Sequence, residues 1–97
     1  MDYDKLIGRW SSRPPGTESA DRVEALLIHY FGGAALNRGA GSSHQYQIKD
    51  ARLAGVPGFG IGGHLVIPVS GGQRVKKVYL RRIALAVKRT KQAEVER

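Results

Sequence analysis

With 97 residues, 41% of them hydrophobic and 25% charged, the chain has the composition of a single globular domain with one modest core. It contains no cysteine, which excludes a disulfide frame, a thiol nucleophile and a thiolate-bound zinc. The net charge is +8, from 16 basic and 8 acidic side chains, so a polyanionic partner is expected before an acidic protein or lipid.

The elements follow in chain order. In "MDYDKLIGRW", Tyr3, Leu6, Ile7 and Trp10 recur at i, i+3, i+4 and i+7, one face of a short amphipathic helix. Such a helix is too short to hold alone and needs a surface to dock on. The same stretch carries acid early and lacks the apolar core of a signal peptide, so a cytoplasmic location is expected. "SSRPPGT" then has linker chemistry, and residues 1–17 are expected to form an N-terminal extension to a domain at 18–92.

A first full helix is expected over Ala20 to Phe31, capped by Thr17 or Ser19, with Val23, Leu26, Leu27 and Tyr30 as its buried stripe and Gly32–Gly33 as its stop. Residues 34–38, "AALNR", form a weak strand, and "HQYQIK" alternates as a half-buried one, with Tyr46 and Ile48 on its inner face. Residues 50–63, rich in glycine, read as a flexible surface loop in which Phe59 is available to a partner. "HLVIPV" is a third strand, and Pro68 places it at a sheet edge or at its own end.

The last helix is expected from about Val75 to Lys91, with Leu80, Ile83, Ala84 and Val87 inward. Val78 and Leu85 fall on the opposite face and need a cover. The face bearing Trp10 is the first candidate and a protein partner the second. Residues 93–97 are left as a fraying tail.

The expected fold is therefore α+β, in the order α-β-β-β-α after a short N-terminal extension. Two helices on one face of a three-stranded antiparallel sheet is the double-stranded-RNA-binding-domain-like layout, which leaves the other sheet face open.

Charge placement sharpens the expectation of a partner. No acidic residue occurs from Ala51 to Ala93, a window that holds Arg52, Arg74, Lys76, Lys77, Arg81, Arg82, Lys88, Arg89 and Lys91.

Other motifs carry less. "GFGIGG" matches the dinucleotide fingerprint in letters, but a strand-like segment follows it where that fingerprint needs a helix. His29, on the first full helix, reads as structural or solvated. The spacing of His29, His44 and His64 is not that of metal ligands, and no metal or other cofactor is expected.

His44 differs in its setting. Gly41 allows close backbone approach, and Ser42 and Ser43 offer donors that suit a phosphate. An unperturbed imidazole takes up a proton near pH ~6.5, so a histidine opening a strand on the open sheet face is able to act as a base. A plain exposed strand residue fits the same position.

"RGAGSSHQYQI", then "HLVIPV", then "VKKVYLRRIALAVKR" resembles the HicA toxins of bacterial toxin–antitoxin systems. The family box corresponds to Gly41, Ser42, Ser43, His44 and Tyr46, the strand to Leu65–Val69, and the basic helix to Lys76, Lys77, Leu80, Ile83 and Ala84. The resemblance spans roughly residues 20 to 90. It implies an RNA-binding and RNA-cleaving domain over 18–92, a metal-independent mRNA endoribonuclease activity, His44 as the catalytic histidine and a HicB-like antitoxin partner that masks it. With RNA as substrate, Arg38, Lys76, Lys77 and Arg81 join Gly41, Ser42 and Ser43 as candidate phosphate contacts. Two further readings remain open: a non-catalytic RNA- or DNA-binding module that uses the basic helix, and an adaptor whose basic face meets an acidic protein.

Overall fold

A computed structural model describes residues 2–38, 45–71 and 73–95. The chain is a small α+β domain with three helices and two antiparallel sheets. Helix α1 spans Tyr3–Ser12, and the Asp2 carboxylate caps it by accepting from the Lys5 amide at 3.0 Å. Strand β1, Thr17–Ser19, runs directly into α2, Ala20–Phe31. Ser19 is the cap of α2, its Oγ accepting from the Arg22 amide at 3.3 Å, and Gly32 ends the helix at φ +87°.

One sheet contains β2, Leu36–Arg38, β3, Gln45–Lys49, and β4, His64–Pro68, in the order β2-β3-β4. The register pairs Leu36 with Ile48, Ile48 with Leu65 and Tyr46 with Ile67. Tyr46, Ile48, Leu65 and Ile67 are buried, while the alternate residues of β3 and β4 are half-buried or exposed. Pro68 ends β4, and β4 is an edge strand, which meets both of the conditions that proline sets.

The second sheet is a two-stranded ribbon of β1 with β5, Arg74–Lys76. Arg74–Lys76 therefore extends as a strand where the sequence suggested the last helix would begin. Thr17 pairs with Lys76, and the Lys77 amide donates to Gly16 O at 3.1 Å. The ribbon ties together the starts of two helices, because β1 leads into α2 and β5 leads into α3, Lys77–Val95. Helix α3 also continues through residues 93–95, which the sequence left as tail.

One hydrophobic cluster joins all of these elements, from Ile7 and Trp10 of α1 through Val23, Leu26 and Leu27 of α2 to Leu80, Ile83, Ala84, Ala86 and Val87 of α3. Helix α1 lies along the second half of α3, where Lys88 Nζ donates to Ser11 Oγ at 2.5 Å and Lys91 Nζ to Asp4 Oδ1 at 2.8 Å. Trp10 is fully buried there. The cover expected for Val78 and Leu85 is not supplied by α1, and these two residues stay 55% and 42% exposed.

The 50–63 segment is the larger departure. It is not a loose surface loop, since Leu53 and Phe59 are buried in the core. A short 3-10 turn, Ala51–Leu53, is capped by Asp50, and the Asp50 amide donates to Gly63 O at 3.0 Å, closing the segment at its base. Gly63, at φ +73°, is required there: a Cβ would run into Asp50 O and lie 2.9 Å from the Ala54 amide nitrogen. Composition suggested flexibility, but two spaced apolar side chains decide the outcome by anchoring the segment.

Candidate nucleic-acid interface

The basic side chains separate into two sets when their partners are traced. Arg52 is held by both oxygens of Asp50, with contacts of 2.8 to 3.0 Å, and pairs with Glu94. Arg74 donates to Thr17 Oγ1 at 3.0 Å, Arg22 pairs with Glu18 at 3.5 Å, and Lys88 and Lys91 hold α1 in place. These cations are structural. The side chains of Lys76, Lys77 and Arg81 are exposed and make no hydrogen bond or ion pair among the described residues.

Lys77 and Arg81 lie one turn apart at the start of α3, and Lys76 immediately precedes them at the end of β5. The structure thus brings these three expected contacts onto one stretch of surface. β5 and α3 carry no carboxylate before Glu94, so that stretch is positive along its own length. A surface of this kind attracts phosphate through long-range Coulomb forces that salt screens.

Gly41, Ser42, Ser43 and His44 lie outside the described residues, and Arg38 is described only as the last residue of β2, with its backbone paired to Tyr46. The strand that follows His44 begins at Gln45, which pairs with Pro68 at the C-terminal end of β4. His29 is structural: its ring stacks on Tyr3, with centroids 4.5 Å apart, across the contact of α1 with α2. The groups whose proton affinity the fold shifts belong to the same scaffold. Lys91 and then Tyr30, by hydrogen bonding, hold the Asp4 carboxyl below its usual range. Burial, and then the Asp4 carboxylate, push the Tyr30 hydroxyl up. Asp50 raises Arg52.

Sequence reasoning missed one feature of the surface. An open groove of about 550 Å³ runs beside β4 and is lined by Gly58, Phe59, Gly60, His64, Val66, Pro68, Tyr79 and Arg82. The alternation of "HLVIP" placed His64, Val66 and Pro68 on one face, and Tyr79 and Arg82 share a helix face at i, i+3. Nothing in the string showed that the two faces meet. Among the described residues, no cluster of three His, Cys, Asp or Glu side chains is placed to hold a metal ion. Nor is any described helix long and apolar enough to cross a membrane. No family model matches the chain, and neither a characterised protein nor a solved structure matches it.

Proposed function

We propose that this chain is the toxin of a type II toxin–antitoxin pair, a metal-independent mRNA endoribonuclease with His44 as general base. The observation that carries the RNA half of this reading is the unpaired cationic stretch Lys76–Lys77–Arg81, beside other cations that the fold consumes internally. The catalytic half rests on the Gly41–Ser42–Ser43–His44 box and its order relative to β4 and α3, through the resemblance to HicA toxins. An antiparallel β2-β3-β4 sheet with helices before and after it is compatible with the double-stranded-RNA-binding-domain-like layout that this reading carries.

In the proposed reaction, His44 removes the proton of a ribose 2′-OH. The 2′-oxygen attacks the adjacent phosphorus, the bond from phosphorus to the 5′-oxygen breaks, and the products are a 2′,3′-cyclic phosphate and a 5′-hydroxyl. A second group returns a proton to the departing 5′-oxygen. A positioned base contributes about 10²–10⁴-fold, so with one such group turnover is slow. Lys76, Lys77, Arg81 and Arg38 are assigned to phosphate charge, and Ser42 and Ser43 to phosphate oxygens. The need for a 2′-OH makes RNA the substrate. A HicB-like antitoxin is the expected partner, and neither metal nor organic cofactor takes part.

The same unpaired cations favour a second reading, a nucleic-acid-binding module without chemistry. Replacing His44 with alanine separates the two. Cleavage of mRNA and growth arrest should disappear while RNA affinity and the unfolding midpoint stay at their original values. Undiminished cleavage by His44→Ala would remove the nuclease assignment.

A further inference from the structure

We infer that the groove between β4 and α3 is a subsite for one nucleotide of a single-stranded RNA, taking its phosphate on Arg82 and its base against Tyr79, Val66 and Pro68. The inference rests on the RNA reading above and names a contact surface separate from Lys76, Lys77 and Arg81.

Three observations on the groove lead here. Its walls are largely apolar and include an aromatic ring: Val66 is 41% exposed, Pro68 is exposed, and Tyr79 is half-buried against the core. Such a surface suits the π-face of a base, and stacking of this kind tolerates any sequence. The volume, about 550 Å³, lies within the range of sites that hold small organic ligands.

Second, the groove has a fixed cation. Arg82 Nη2 donates to Gly58 O at 2.7 Å, and the guanidinium sits 5.2 Å from the centre of the Phe59 ring. Phe59 is itself buried, so the loop holds the guanidinium in place. Arg82 has no carboxylate partner among the described residues, and no Asp or Glu lines the groove. A guanidinium has five N–H donors, so most remain available, and a planar fork held in this way suits phosphate.

Third, His64 stands at the same groove, with its ring folded over Gly62. A Cβ on Gly62 would lie 2.7 Å from His64 Nε2. Across the sheet, His64 pairs in register with Lys49, which adds another basic residue at that end. At its other end the groove reaches Pro68, whose register partner Gln45 opens β3. Apolar walls, a pre-set cation and an absence of carboxylates fit an anionic ligand with a flat ring, and disfavour an acidic peptide that has no ring to stack.

The test uses the full chain and a short 2′-O-methylated single-stranded RNA, which binds without being cut. Amide shifts are mapped by NMR, and affinities are measured for Arg82→Gln, Val66→Glu and the triple variant Lys76→Ala/Lys77→Ala/Arg81→Ala. Val66→Glu changes an exposed position, so it remains informative if loss of the Arg82–Gly58 bond loosens the loop; thermal unfolding checks both. The expected result is RNA-induced shifts at Gly60, Val66 and Tyr79, and binding weakened about tenfold or more by each groove variant. If both groove variants bind as tightly as the unaltered chain while the triple variant weakens, the subsite is overturned and the RNA reading stands. If the unaltered chain binds no RNA at low salt, both are overturned. Groove shifts produced by an acidic peptide and not by RNA would assign the groove to a protein partner and also overturn the subsite.

Discussion

The two halves of α3 are alike in composition and opposite in use. In the second half, Lys88 and Lys91 reach Ser11 and Asp4 of α1, so the basic side chains form part of a helix–helix seam. In the first half, Lys77 and Arg81 point to solvent without a partner, and Arg82 is aimed by a loop carbonyl into a groove. Net charge counts both halves equally. The first half offers cations with no partner, whereas in the second half Lys91 is offset by the Asp4 carboxylate and Lys88 is tied to Ser11.

Five experiments would break or sharpen that contrast. The largest effect is expected in the seam. Trp10→Ala removes a fully buried side chain between α1 and α3 and should cost about 3–5 kcal/mol in urea-induced unfolding. A loss below about 1 kcal/mol would mean that α1 is not part of the core. Gly63→Ala comes next. It forces a Cβ onto Asp50 O at φ +73°, and should cost about 2–3 kcal/mol and release the 50–63 segment to proteolysis.

The triple variant Lys76→Ala/Lys77→Ala/Arg81→Ala should leave stability within about 0.5 kcal/mol. Its effect should fall on RNA binding, where the slope of log affinity against log salt becomes shallower by about 2. An unchanged slope would show that these cations do not meet phosphate. Replacing Lys88 alone should do the reverse, with a small loss of stability and no change in slope.

The smallest effect concerns pH. The Asp4 carboxyl is held below its ordinary value of 3.8 by Lys91 and Tyr30. A depressed carboxyl stabilises the fold fully above that ordinary value, and the contribution disappears as pH falls through the lower folded-state value. Urea midpoints of the unaltered chain and of Asp4→Asn should therefore differ at neutral pH and converge in acid. Because Asp4 is open to solvent, the gap should also shrink with added salt.

Much of the scaffold was legible in the sequence because periodicity reports directly on burial. The i, i+3, i+4, i+7 apolar spacing of Tyr3–Trp10 and of Val23–Tyr30 marked two helices, and the alternation around Tyr46 and Ile48 marked a strand. The β1–β5 ribbon was not legible. Each strand is three residues long, too short for alternation to register, and the pairing joins Thr17 to Lys76 across most of the chain. The 50–63 segment misled because glycine composition dominates a local reading, while burial of Leu53 and Phe59 depends on what lies beneath them. Of the candidate site, charge placement gave Lys76, Lys77 and Arg81 only as members of a larger basic window, 51–93. Which cations are free could not be read there, since that depends on long-range partners such as Asp4 for Lys91 and Glu94 for Arg52. The groove has the same origin: His64 was visible as a strand opening, but its meeting with Tyr79 and Arg82 is tertiary.

The clasp of α1 on the end of α3 also sets a schedule for the chain's synthesis. Asp4 waits for Lys91, 87 positions later, and Ser11 for Lys88, 77 later. Contacts at such separation form after local ones. During translation, the Trp10 indole therefore remains without its seat until the final helix clears the ribosome exit tunnel. A nascent chain stalled before residue 84 would hold α1 undocked and its apolar face uncovered, a natural target for chaperones.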